Sequence, residues 1–95
     1  MGYRSNTCLR LSEEAESVIQ VARKMSKDLD SLLEDAEKPN KGDYAWYCVK
    51  WYDQYPEISA LESLLLDLKE DDYGFIRVGE ETNDIEFQGD PAQYD

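Results

Sequence analysis

The sequence predicts an α+β fold, a two-layer sandwich in which two helices pack on one face of a mainly antiparallel four-stranded sheet. Ninety-five residues are enough for one domain with one core. Two segments place apolar residues every three or four positions, as amphipathic helices do. Four other segments are short and either alternate or are rich in aromatic and β-branched residues, as strands are. The predicted order is β-α-β-α-β-β.

The first half begins with a strand over residues 3–11. Ser12 then precedes several glutamates, and this pattern predicts a helix N-terminus because the hydroxyl accepts a hydrogen bond from a free amide and acidic residues favour the positive end of the helix dipole. One continuous helix is expected from there to the proline- and glycine-containing segment 38–42. Its predicted apolar stripe consists of Ala15, Val18, Ile19, Ala22, Met25, Leu29, Leu32, Leu33 and Ala36.

The second half repeats the alternation of strand and helix. Residues 44–52 predict a strand that is largely apolar on both faces, and residues 57–69 predict a second amphipathic helix. Residues 75–78 and 84–88 predict two strands joined by a turn. The segment 89–95 is expected to be a loose tail, so the whole chain is predicted to be a single domain without a linker.

Negative charge is concentrated in the second half of the chain, which has a formal net charge of −12. Residues 1–50 carry eight Lys/Arg and nine Asp/Glu, whereas residues 51–95 carry two Lys/Arg and thirteen Asp/Glu. Such a field opposes direct binding to nucleic acid or to an anionic membrane, and it attracts a basic partner. With no apolar run of membrane-spanning length and no apolar secretory signal, the chain is expected to be cytosolic.

Catalysis and cofactor binding have little support in the residue types. The chain contains no histidine, which removes the commonest general base and a common metal ligand. It has no glycine-rich phosphate loop and no histidine to activate a Ser or Cys nucleophile. Counting alone does not exclude a carboxylate acid/base pair, but nothing singles out two residues. We therefore predict a protein that is not an enzyme, with no catalytic residue and no cofactor.

Metal binding is predicted to be weak and adventitious. The acidic residues near 71–72 and 80–86 offer oxygen ligands of the kind that Ca²⁺ or Mg²⁺ accepts. They lack the alternating ligands and the fixed glycine of a calcium-binding loop, so no dedicated metal site is expected.

The cysteines and aromatic residues are expected to serve packing. Cys8 and Cys48 are predicted to be buried thiols, with the alternative that they face each other across paired strands. The aromatic cluster at 44–55 is expected to pack in the core rather than stack on nucleic-acid bases, which would need more basic neighbours. If one side of the cluster is exposed, Trp46 or Trp51 would suit a protein partner as an apolar anchor.

Three segments together resemble a family of small proteins of tailed bacteriophages and prophages. The resemblance lies in Gly2-Tyr3-Arg4-Ser5, in Val49-Lys50-Trp51-Tyr52-Asp53-Gln54-Tyr55-Pro56-Glu57-Ile58, and in Phe75-Ile76-Arg77-Val78-Gly79-Glu80-Glu81-Thr82-Asn83-Asp84-Ile85-Glu86. It implies a phage origin and the cytoplasm of a bacterial host, but it implies no activity. Members often continue into one more strand after the region that matches residues 89–90.

The leading functional hypothesis is an acidic inhibitor that binds a basic nucleic-acid-binding surface on a host protein, for example a restriction or CRISPR-type defence complex. Carboxylates on helices and strands lie about 5–7 Å apart, comparable to the phosphates along one DNA strand, so the protein would act by imitating DNA. The predicted acidic contacts are Asp67, Glu70, Asp71, Asp72, Glu80, Glu81, Asp84 and Glu86. Trp51, Tyr52 or Tyr55 is the predicted apolar anchor.

One other interpretation remains open. The acidic surface can serve solubility alone. The chain would then be an adaptor or assembly protein, monomeric or homodimeric, that binds through apolar surface or through an exposed strand edge.

Overall fold

The computed structural model describes residues 3–89 and confirms the α+β sandwich. The elements, in chain order, are β1 Ser5–Leu11, α1 Glu13–Met25, α2 Lys27–Asp35, β2 Asp43–Val49, α3 Pro56–Asp67, a 3-10 turn Glu70–Asp72, β3 Tyr73–Val78 and β4 Ile85–Gly89. No helix within residues 3–89 is long and apolar enough to cross a membrane.

The four strands form one antiparallel sheet in the order β2-β1-β3-β4. Because successive side chains of a strand point to opposite faces, each strand gives one set of residues to the helices and another to the opposite face. Leu9 and Phe75 are paired in register, and both are buried on the helix-covered face. The largest fully buried apolar residues come from all three helices as well as from the sheet: Leu9, Ile19, Leu33, Leu61, Leu65 and Phe75.

The long first helix is in fact two helices that meet at Ser26. Ser26 has an extended backbone (φ −139°, ψ 113°), and its hydroxyl accepts a hydrogen bond from Leu29 N at 3.2 Å. One helix over residues 13–35 would be about 35 Å long, close to the longest dimension of the molecule. The break lets each half turn its own apolar residues to the core. Met25, predicted on the apolar stripe, lies at the break and is 84% exposed, so that assignment was wrong.

Replacing Ser26 with alanine is expected to lower the free energy of unfolding by about 1 kcal/mol, because the α2 N-terminus loses its side-chain cap. Urea unfolding followed by circular dichroism measures the change. Ser17, exposed within α1, offers a matched control, since Ser17→Ala removes a hydroxyl that caps no helix and should leave stability nearly unchanged. Equal losses in the two variants would contradict the capping role.

The aromatic segment forms a shorter strand than predicted and then enters the core. β2 ends at Val49 rather than at residue 52, after Cys48, which has a positive φ of 55°. Trp46 and Trp51 are both buried, with ring centroids 5.2 Å apart. The prediction that this cluster packs in the core is confirmed for these two residues, whereas Tyr47 is exposed.

Both predictions for the cysteines were wrong. Cys48 is exposed and Cys8 is half-buried, so neither is a core thiol. They do not face each other either, because the register pairs Cys8 with Ala45. The irregularity in β1–β2 pairing near Ser5 and Thr7 shifts the end of β2, which period-two alternation alone cannot predict.

The C-terminal elements agree with the predicted order, with small changes in their ends. The predicted helix 57–69 is observed as α3, and the last strand begins at Ile85, one residue later than expected. Gly89, assigned to the loose tail, is the last residue of β4. The rest of that tail and the possible additional strand lie outside the described residues.

Candidate functional site

The predicted acidic contacts fall into two groups at opposite ends of β3. Asp67 and the turn Glu70–Asp72 lie where α3 ends and β3 begins, and Glu80 and Glu81 lie in the loop from β3 to β4. The strand between them separates the groups by about 20 Å. All of these acidic residues are exposed except Asp72, which is half-buried. The carboxylates therefore do not form one compact cluster.

Arg77 lies between the two groups and binds two of the predicted contacts itself. Its Nη2 is 2.8 Å from Asp84 Oδ1, and its Nε is 3.0 Å from Glu86 Oε1. Register explains the second contact, because Arg77 on β3 is paired with Glu86 on β4. Asp84 and Glu86 are thus held within the fold, and their charges are offset by the guanidinium.

Arg77 and its carboxylate partners shift each other's pKa values. Its contacts with Asp84 and Glu86 raise the pKa of the guanidinium, against an opposing effect of burial. Arg77 in turn lowers the pKa of Asp84, and the Tyr3 hydroxyl lowers it further by donating a hydrogen bond to Oδ2 at 2.6 Å. Asp84 is therefore ionised well below neutral pH.

The loop that carries Glu80 and Glu81 is held in place by residues near the N-terminus. Tyr3 Oη donates to Asp84 and accepts a hydrogen bond from Glu81 N at 3.1 Å, while Arg4 N donates to the Glu80 carboxylate. Within the loop, Gly79 N donates to Asp84 O at 2.8 Å. These bonds give the Glu80–Glu81 group a defined position on the surface.

Gly79 is needed at this point because the space beside it is filled. A Cβ at Gly79 would overlap the Asp84 carboxylate and the Tyr3 hydroxyl. A side chain at this position would therefore push apart the two residues that hold the loop.

Glu62 and Asp53 form a carboxylate pair near Arg77 that the sequence analysis did not predict. The pKa of Glu62 is raised to about 7, mainly by burial and then by a hydrogen bond with Asp53 and the negative charges of Asp53 and Glu86, while Arg77 acts in the opposite direction. Glu62 lies four residues after the buried Ile58, at the flank of the α3 apolar stripe. This spacing could have indicated a partly buried carboxylate, since a residue at that position is turned towards the sheet. The side chain can take up a proton near neutral pH.

A surface pocket of about 350 Å³ adjoins this cluster. Its lining includes Arg77, Asp84 and Glu86. Because Arg77 is already bonded to both carboxylates and to Ser5 Oγ, the pocket does not present it as an open cation site. Among residues 3–89, no group of three or more Asp, Glu or Cys side chains is arranged to hold a metal ion.

The three predicted apolar anchors have little free surface. Trp51 is 6% exposed and packs between Trp46 and Phe75, so it belongs to the core, and its burial argues against the anchor role. Tyr52 and Tyr55 are half-buried with ring centroids 5.3 Å apart, and Tyr52 Oη accepts a hydrogen bond from the backbone N of residue 3 at 2.7 Å.

Comparison of the chain with protein-family models, with curated proteins and with solved structures gives no significant match in any of the three. The resemblance to phage proteins stays a prediction.

Proposed function

We propose that this chain is a phage-encoded acidic protein that binds a basic nucleic-acid-binding surface of a host protein in the bacterial cytoplasm. A restriction or CRISPR-type defence complex has a surface of that kind. The protein would inhibit its target by occupying a site that otherwise holds DNA or RNA.

One observation carries the proposal: the charge asymmetry of the chain becomes an asymmetry in space. Strand order β2-β1-β3-β4 places the two N-terminal strands side by side and the two C-terminal strands side by side. Among the described residues 51–89 there are eleven Asp/Glu and two Lys/Arg. Because α3 also belongs to this part, with Glu62 close to Glu86, one side of the molecule carries most of the net negative charge, with −9 for residues 51–89 against −1 for residues 3–50.

The spacing of the exposed carboxylates also suits a nucleic-acid groove. The two groups at the ends of β3 are separated by about 20 Å, which corresponds to roughly three phosphate steps along one DNA strand. The Tyr3 and Arg4 contacts hold the loop group in place, so little ordering cost would accompany binding. Complementary fields would accelerate association with a basic groove.

Reversing three exposed charges tests the proposal. We expect Asp67→Lys, Glu70→Lys and Glu81→Lys together to weaken binding to a captured nucleic-acid-binding protein at least about tenfold. None of the three forms a salt bridge with Arg77, so the fold should be retained. The assay is capture from a bacterial lysate followed by a salt gradient, and then titration of the identified protein with and without a DNA duplex as competitor.

The control applies the same change in net charge to the other part of the molecule. Glu14, Asp35 and Glu37 are exposed and lie outside the acidic side, so reversing these three charges should weaken binding much less. Equal losses in the two triple variants would indicate a non-specific effect of net charge. Binding that does not depend on salt concentration and is not displaced by the duplex would contradict the proposal.

A further inference from the structure

The sheet has a second face that none of the helices within residues 3–89 covers, and part of it is apolar and exposed. Ile76 and Val78 on β3, and Ile85 and Phe87 on β4, point away from the helices because their strand neighbours Phe75 and Arg77 point towards them. Phe87 is 59% exposed. Contiguous apolar surface of this kind marks an interaction site in many proteins.

The described strands give this face almost no net charge, although the molecule as a whole is acidic. Within the described strands, its outward-pointing charged side chains are Arg10 and Asp43, which pair with each other at 3.0 Å between Nε and Oδ1. The acidic groups described above lie in loops or on the helix-covered side. A Debye length of about 8 Å screens those groups from a partner on the open face. A second, equally acidic copy therefore meets least repulsion here.

In one cross-strand row of the open face, small side chains lie on one half of the sheet and large ones on the other half. A two-fold axis parallel to the strands would bring the small half of this row in one copy against the large half in the other. Such an axis turns a second copy over, so that β2 lies on β4 and β1 lies on β3 while each cross-strand row stays at its own level. In the order β2-β1-β3-β4, one row contains Ala45, Cys8, Ile76 and Phe87. The small half of this row then meets the large half of the partner's row.

The neighbouring row has the opposite distribution. In the same strand order it contains Asp43, Arg10, Gly74 and Gly89. The two-fold axis places the Asp43–Arg10 pair of one copy over Gly74 and Gly89 of the other, which carry no side chain. The charged pair of each copy therefore faces uncharged backbone of the other rather than a second charged pair.

A pocket of about 160 Å³ lies on the small half of the open face. Its lining includes Cys8, Ala45, Tyr47 and Pro39. An apolar cavity of about 150 Å³ is large enough to hold benzene. The pocket thus has the size of the phenyl ring of Phe87, which the two-fold axis brings opposite Ala45.

We propose that the open sheet face is a homodimer interface in which Phe87 of each copy inserts into the pocket beside Ala45 of the other. The sheets would pack face to face, about 10 Å apart and close to aligned. The inference is independent of the proposed function, since the carboxylates tested there lie outside this face.

The small size of the face indicates a weak, transient dimer. Four strands about 4.8 Å apart and about 20 Å long give a footprint of roughly 400 Å² on each copy. A standard stable interface buries about 800 Å² on each partner. We therefore expect a dimer that dissociates in the micromolar range rather than an obligate one.

Sedimentation velocity across about 5 μM to 1 mM protein tests the dimer, and these concentrations bracket the expected dissociation constant. The unmodified chain should shift from monomer to dimer as its concentration rises. Phe87→Asp should stay monomeric throughout, because a carboxylate cannot enter the apolar pocket without a partner. Since Phe87 is exposed in the monomer, thermal unfolding should show that the variant still folds.

Leu66 provides the matched control. It is 77% exposed on α3, in the other layer of the sandwich, so Leu66→Asp should leave dimerisation unchanged. A chain that is monomeric at every concentration would overturn the proposal. So would a dimer that survives Phe87→Asp, or one that Leu66→Asp abolishes.

Thiol labelling gives a second readout that locates the interface. In a Cys48→Ser background, Cys8 lies on the open face and should react several-fold more slowly with a maleimide once the protein is dimeric. In the Phe87→Asp variant its rate should not depend on protein concentration. A concentration-independent rate in the dimeric protein would place the contact elsewhere and overturn the proposal.

Discussion

Replacing Arg77 with methionine is expected to lower the free energy of unfolding by about 3 kcal/mol at neutral pH. Methionine keeps much of the side-chain length but removes the only cation between Asp84 and Glu86 among the described contacts. The Arg77 side chain is 16% exposed, so water replaces the lost guanidinium poorly. Both carboxylates would then repel each other and Glu62. Chemical denaturation measures the loss.

Arg23 is a close control for this substitution. Its side chain is 13% exposed and also binds two carboxylates, Asp30 and Glu34, but these are 48% and 64% exposed. Because exposed carboxylates remain solvated, Arg23→Met should cost much less than Arg77→Met. The difference should shrink in acid, as pH falls through the lowered pKa of Asp84 and this carboxylate is protonated in the folded protein. Equal losses at neutral pH would contradict the central role of Arg77.

Replacing Glu62 with glutamine is expected to stabilise the protein at pH 8 by about 1.5 kcal/mol and to change little at pH 5. The pKa of Glu62 is raised from 4.5 to about 7, so the folded protein binds this proton more tightly than the unfolded chain. The resulting stability is complete below pH about 4.5 and is lost as pH rises through about 7. The expected gain includes a reduction for the partial exposure of the side chain.

Asp53 offers the control for the pH dependence. Asp53→Asn removes the neighbouring negative charge, so the pKa of Glu62 should fall towards its ordinary value. Carboxyl carbon shifts in an NMR titration would report this pKa directly, and thermal unfolding at several pH values would report stability. A Glu62→Gln variant with the same pH dependence as the unmodified chain would rule out this carboxyl as the source.

Much of the fold could be predicted because the relevant signals are local. The spacing of Ile19, Leu33 and Leu61 reflects the helical period, and their burial follows from it. The break at Ser26 was missed because the apolar spacing continues through it. The break at Ser26 depends on tertiary packing, because α1 and α2 must each turn an apolar face to a core that is shorter than one straight helix over both segments.

The acidic site was only partly predictable. Counting located the excess charge after residue 50, but it did not reveal which carboxylates bind Arg77. That pairing depends on the register of β3 with β4 and on Tyr3, which lies far away in sequence. Glu62 was missed for the same reason, because its neighbours Asp53 and Glu86 come from other elements.

By itself, the sequence determined the α+β class, the aromatic core and the imbalance of charge, since composition and periodicity act within each segment. Only the tertiary structure decided which face of the sheet stays open and which exposed side chains share a row. Strand order and register arise from contacts between segments that are distant in sequence. These contacts bury apolar side chains and form the backbone hydrogen bonds of the sheet at the same time. Phe87 and the pocket beside the buried Ala45 therefore become parts of one sheet face only in the folded chain.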